Sequence, residues 1–142
     1  MTRLDAGSYF GADPALRPAG KGTYVELDAV DVVEFVDGLE FRPVVGERMM
    51  VNFVHYAPNT EAPSHAHAEE QVTFVIDGEF EFDLDGDVRT MRRGTAVHVP
   101  PGVPHGARTL ASTCFEVDVF APPRRVLLEA MRARAGQPAP AD

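Results

Sequence analysis

Three histidines open the reading: His65 and His67 in Pro63-Ser64-His65-Ala66-His67-Ala68-Glu69-Glu70-Gln71, and His105 in Gly94-Thr95-Ala96-Val97-His98-Val99-Pro100-Pro101-Gly102-Val103-Pro104-His105. On a strand, residues two apart point to one face, so His65 and His67 can grip one ion together. The proline-glycine turn before His105 presents that ring rigidly at the start of the next strand. Two imidazoles on one face and a third delivered by a stiff turn suit a divalent metal. Two further histidines are candidates for an extra ligand or a supporting partner. His55 precedes the turn Pro58–Glu61 and follows Phe53-Val54, which favours it as an additional ligand; His98 lies across the Pro101-Gly102 turn from His105.

Such side chains need short rigid elements, and the chain is punctuated accordingly. The spacing predicts strands at Tyr24–Leu27, Val30–Val36, Leu39–Pro43, Arg48–Tyr56, Gln71–Ile76, Glu79–Leu84, Val88–Met91, Thr95–Val99, Gly106–Thr109 and Thr113–Phe120. Phe80, Phe82 and Leu84 alternate with acids, giving one buried and one wet face, and Phe115, Val117 and Val119 do the same. Asp85-Gly86 is a two-residue hairpin signal. Pro122 and Pro123 suit a helix start, Val126, Leu127, Ala130 and Met131 form an apolar stripe, and Gly136 is a stop. The reading is all-β, a jelly roll or barrel with one short C-terminal helix. Its parts are an N-terminal arm over 1–22, a barrel over 23–121, the helix over 122–136 and a disordered tail over 137–142. Tyr9 and Phe10 are the arm's candidate anchors, on the barrel or on a neighbouring subunit.

These motifs resemble those of the cupin superfamily, whose fold is a single jelly-roll barrel. The first resembles the first cupin motif: two histidines, an acidic or amide ligand, then a glycine after six residues. Counting back from Gly78 puts Gln71 at the ligand position, and parity agrees, because Glu70 would point away. The second resembles the second cupin motif, with His105 as its histidine; Thr109 stands where that motif usually ends in asparagine. The motifs cover residues 58–109, and the strand pattern extends the likeness over roughly 22–125. The resemblance thus implies a metal held by His65, His67, Gln71 and His105, to which the position of His55 would add a fifth ligand. Gln71 is neutral, so the ion would keep its full charge, which favours Lewis-acid work over oxygen chemistry. Zinc is the expected metal, with iron, nickel or copper as alternatives.

The segment Glu116-Val117-Asp118-Val119-Phe120-Ala121-Pro122-Pro123-Arg124 resembles the closing motif of small cupins of pectin degradation, which linearise unsaturated uronates. That likeness implies Asp118 as proton acceptor or donor beside the metal and Arg124 as the contact for a substrate carboxylate or enolate oxygen. Small cupins with histidines and glutamine on the metal also resemble aromatic polyketide cyclases. The phenylalanine-rich strands and the apolar arm favour a cyclase acting on a flat, apolar polyketone. A uronate-type ketonising isomerase is the alternative; a small-molecule binding cupin without turnover and an oxygenase are further ones.

The 142 residues suffice for one core. The formal charge of −9 repels phosphate backbones, so no nucleic-acid partner is expected. One cysteine, Cys114, and no signal-like apolar stretch lead to the expectation of a cytoplasmic protein; no segment approaches a membrane span, so no membrane partner is expected either. Uncovered strand edges make a homodimer the expected assembly, with residues 1–36 part of its interface.

Overall fold

The computed structural model describes residues 1–136. Its strands are β1 (Val33–Val36), β2 (Leu39–Val45), β3 (Met50–Tyr56), β4 (Glu61–His65), β5 (Glu70–Leu84), β6 (Asp87–Arg92), β7 (Ala96–Val99), β8 (His105–Arg108) and β9 (Cys114–Ala121). Short helices flank them: α1 (Ala6–Phe10), a 3-10 turn at Leu27–Ala29, and α2 (Arg125–Ala135). All the strand pairs are antiparallel. The result is mostly β, a nearly closed jelly-roll barrel closed by a C-terminal helix.

Strand β5 belongs to both sheets. Its first half lies between β7 and β9, which continue through β3, β2 and β1. Its second half lies between β6 and β8, with β4 beyond β8. The change of sheet happens at a register shift between Val75 and Asp77, followed by Gly78 at φ 76°. A Cβ on Gly78 would sit 2.1 Å from the Thr113 carbonyl oxygen, so only glycine permits this crossing of β5 over β9. Asp77-Gly78 is therefore a bend within one strand, where the sequence suggested a break between two.

The inward faces follow strict alternation. Strand β3 buries Met50, Asn52, Val54 and Tyr56, and β9 turns Cys114, Glu116, Asp118 and Phe120 toward them. The main core joins Leu39, Val54, Tyr56, Val75, Phe80, Phe82, Met91, Val99, Ala107 and Cys114. A smaller cluster of Val33, Met50, Phe120 and Leu127 seats α2 against the barrel. Asp85 and Gly86, at φ 50° and 91°, form the predicted hairpin turn between β5 and β6.

Other differences from the sequence reading have local causes. Tyr24–Leu27 is not a strand, because no neighbouring strand pairs with it; pairing begins at Val33. The strand expected to carry both His65 and His67 is β4, which ends at His65 and leaves His67 beyond it; Pro63 and Ser64 interrupt its pattern, and its pairing with β8 shifts register there. The helix starts at Arg125 rather than at the prolines, and α1 is a second helix, capped by the Asp5 side chain. Tyr9 and Phe10 meet edge to face and remain exposed, so they do not anchor the arm on the barrel. The tail expectation for 137–142 lies outside the described residues.

Candidate metal centre

The end of β4, the loop after it and the start of β8 meet at one point. His65 and His105 face each other as cross-strand partners, with ring centroids 4.3 Å apart. His67 lies just beyond β4, where its own carbonyl accepts a hydrogen bond of 2.8 Å from the Gly102 N–H. The stiff proline-glycine turn thus holds both the loop that carries His67 and the strand that carries His105. One ligand atom from each of the three rings lies within 4.8 Å of the others, so the three histidines can hold a metal ion.

Hydrogen bonding settles which nitrogens face inward. Each Nδ1 lies against a backbone carbonyl two residues away: His65 on Pro63 at 2.8 Å, His67 on Glu69 at 2.9 Å, His105 on Val103 at 2.9 Å. A carbonyl only accepts, so each Nδ1 carries the proton, and each neutral ring presents a lone pair at Nε2. Gln71 is oriented by the same reasoning. Its amide N–H donates to Thr73 Oγ1 at 2.8 Å and Asp118 Oδ1 at 3.3 Å, which turns Oε1 toward His67 Nε2 at 3.0 Å and His105 Nε2 at 3.1 Å. Acceptor atoms at such distances repel one another unless a cation lies among them. The donor set of three imidazole nitrogens and one amide oxygen therefore fits a divalent metal.

Burial holds His105 down to about 4, and burial also lowers His67, aided in each case by the Arg124 charge. Both rings thus remain neutral and able to donate near neutral pH. Below them Thr73 donates to Asp118 Oδ1 at 2.6 Å, so Asp118 is fixed beside Gln71. Burial raises the Asp118 carboxyl, and hydrogen bonds from Glu116 and Thr73 oppose that rise.

Arg124 caps α2 and reaches the edge of the site, where its guanidinium lies 3.5 Å from Glu69. Glu69 is buried and accepts the Arg125 N–H at 2.7 Å. Burial pushes its carboxyl up, but this N–H and the arginine charge outweigh burial and hold it below the usual 4.5. Phe120 packs on His67, centroids 5.6 Å apart.

The remaining histidines lie elsewhere. His55 alternates with Val54 and Tyr56 on β3, so it points out of the barrel, into a different depression with Leu27, Arg42, Asp77 and Phe115. This corrects its expectation as a metal ligand; both faces of β3 carry apolar residues, and the sequence pattern did not reveal which one is inward. His98 is also on the outside, 2.7 Å from Glu70, which indeed points away from Gln71. Thr109, in place of the usual asparagine, bonds the Thr60 N–H and the Ala57 carbonyl and so ties down the loop before β4.

The histidine cluster opens on a cavity of about 350 Å³ between the two sheets. Phe35, Leu39, Phe41, Tyr56, Phe80 and Phe82 supply much of its wall. Sequence reasoning missed Thr73, Glu69, Asn52 and Glu116. The alternation of Phe115, Val117 and Val119 with acids predicted Glu116 on the wet face, whereas it is buried and lines the cavity, and Asn52 stands on a strand with apolar residues on both faces.

With this geometry, comparison with known proteins defines the class. Residues 52–117 match the family model described as Cupin domain, and the chain has the cupin fold. Among curated proteins it is similar to the pectin degradation protein KdgF of Dickeya dadantii (strain 3937), 27% identical over 93 residues that cover 64% of this chain and 84% of that one. Among solved structures, KdgF from Halomonas sp. superposes with a TM-score of 0.70 at 24% identity, covering 75% of this chain and 99% of that one. The polyketide cyclase RemF from Streptomyces resistomycificus gives 0.64 at 23% identity, covering 71% and 80%. At these identities the two structures establish the fold alone. No helix of the described residues is long and apolar enough to cross a membrane.

Proposed function

We propose that this chain is a metal-dependent cyclase that moves a proton beside a carbonyl of a neutral, largely apolar polyketone and lets the resulting carbanion close a ring by aldol addition. The observation that carries this reading is the junction of two environments. Three imidazoles able to hold a metal ion, the Gln71 amide oxygen beside two of them and the fixed carboxyl of Asp118 border a cavity walled mainly by aromatic and aliphatic side chains. A divalent ion held by His65, His67, Gln71 and His105, zinc by preference, would supply Lewis-acid polarisation of a carbonyl oxygen. Asp118 is the proton acceptor: Thr73 and Gln71 orient it, and burial raises its basicity. The apolar wall excludes water and holds a flat chain in a folded shape. Arg124, at the rim, stabilises developing negative charge at an outer oxygen.

Metal analysis of protein purified without added metal, and a product assay with a poly-β-ketone, test this. Stoichiometric zinc and a cyclised product are expected, the aldol hydroxyl leaving as water where the new ring becomes aromatic. Stoichiometric iron with oxygen uptake would replace the reading with an oxygenase.

A second reading, ketonisation of an unsaturated uronate, is favoured by the 27% identity to a pectin degradation protein and by the match of Asp118, Phe120 and Arg124 to its motif. Against it, Arg124 is the only permanent cation among the described residues lining the cavity, and an anionic sugar calls for more than one cationic contact. Turnover of unsaturated uronate but not of polyketone would establish this reading instead. Tight binding of either compound without turnover would leave a binding protein.

A homodimer accompanies the proposal. Its support is the outer face of β5, where Val72, Phe74 and Ile76 are each more than a third exposed. Sedimentation at micromolar concentration checks it. A cytoplasmic location is also proposed, on the lone free thiol of Cys114, and cell fractionation checks that.

A further inference from the structure

Two buried polar side chains in the cavity have unused hydrogen-bonding atoms. Asn52 and Glu116 are each 1% exposed, and both line the cavity. Both Asn52 side-chain polar atoms and Glu116 Oε2 are without a hydrogen-bond partner in the protein. They sit on adjacent strands: Asn52 is the cross-strand partner of Asp118, and Glu116 is two residues before it, opposite Val54. Their neighbours on the inward face, Met50, Val54, Tyr56 and Cys114, are core residues. Buried polar groups are normally satisfied, and an orphaned amide at a position suited to leucine costs stability with no structural return.

We propose that Asn52 and Glu116 form a second recognition point in the cavity, a neutral hydrogen-bonding subsite for a hydroxyl or enol group of the ligand, separate from the metal. An amide offers a donor and an acceptor side by side, and a hydroxyl offers the complement. Burial and the neighbouring Asp118 raise the Glu116 carboxyl well above its usual value, so Oε2 serves as a neutral acceptor. A ligand carboxylate in the same place would face Asp118 with no cation beside it. The subsite therefore selects hydroxylated or enolic aromatic compounds and rejects anionic sugars. This rests on the reading of the cavity as the substrate site; metal content and turnover test that reading by separate measurements.

The test compares binding of 1-naphthol and 1-methylnaphthalene to the full chain, in metal-loaded and chelator-treated forms. The two probes are close in shape and differ in the hydroxyl. The expected result is a preference for naphthol of about tenfold in both forms, the discrimination shown by a site with hydrogen bonds to offer. N52L should bring the ratio near one without weakening methylnaphthalene binding, and its melting temperature should be unchanged or higher. E116M, measured independently, should also lower the ratio, and it decides the matter if N52L does not fold. Equal ratios in wild type and both variants overturn the proposal, as does failure of 1-naphthol to bind. A preference that vanishes on metal removal also overturns it, because the hydroxyl then binds at the metal.

Discussion

Glu116 has no cation beside it among the groups that shift it; burial and Asp118 both raise its carboxyl. In the unfolded chain it would titrate near the usual 4.5. The folded form therefore holds a proton that the unfolded form releases, and stability from this group is full below that value and is lost as pH rises toward the folded value. Urea unfolding at about pH 5 and about pH 8 should show this loss in the wild type, and E116Q, which does not titrate, should reduce it. An undiminished loss in E116Q would mean that the carboxyl is already ionised in the fold. Asp118 has the opposite task. D118N should retain the metal yet slow solvent exchange of the α-protons of a β-diketone by about 10²–10⁴-fold, read by NMR. Full activity in that variant would remove Asp118 as the base. At this scale the sequence was informative where chemistry has a spacing. His65, His67 and His105 were legible from their motifs, and Gln71 from its distance to Gly78. Which face of β3 is inward was not legible, so His55 was misassigned while Asn52, three residues earlier and truly inward, passed unnoticed.

Elements set the separation of the ligands. Strands β4 and β8 approach so closely that a Cβ on Gly106 would lie 2.9 Å from the Ala62 carbonyl oxygen and 3.0 Å from the Ser64 N. That contact is backbone on both sides and cannot rotate away. G106A should push β4 from β8 next to the His65–His105 pair, lowering metal affinity by about 10–100-fold, as does disturbing the supports of a ligand. Stability should fall by about 1–3 kcal/mol. Calorimetric metal titration alongside urea unfolding separates the two effects, and unaltered affinity would show that ring positions do not depend on this spacing. Most strands were readable from alternation because one face of each is buried, as Phe80 and Phe82 illustrate. The bend of β5 at Asp77-Gly78 and the strand containing Pro63 were not, since both depend on how distant strands pack, at Thr113 and at Gly106, rather than on local pattern.

At the scale of the whole molecule, the candidate metal centre draws on β4, β5 and β8, which come from separate parts of the chain. A ligand that binds only the folded state stabilises it by RT ln(1 + [L]/Kd), about 2.7 kcal/mol at a hundredfold excess over Kd. Chelation should therefore lower the melting temperature, and added zinc should raise it in a concentration-dependent manner. The dependence on pH has a definite sign. His67 and His105 are depressed below the usual 6.5, His105 to about 4, so the metal-free fold excludes protons that the unfolded chain accepts. Their contribution to stability is full above that value and is lost as pH falls toward 4. Metal binding needs the same unprotonated nitrogens, so the bound form resists acid until protons compete for Nε2. The gap between the melting temperatures of the metal-loaded and chelated protein should thus be wide near neutral pH and close toward pH 4, while H67A should show little gap at any pH. Near neutral pH the net charge of −9 adds to cation binding and opposes an anionic substrate, so ionic strength should weaken zinc affinity modestly there, and the effect should vanish as the pH nears the isoelectric point of about 4.9. Calorimetric scans of both forms across that range decide the matter: a gap that persists unchanged at pH 4, or that survives in H67A, would place the stabilising ion away from these histidines.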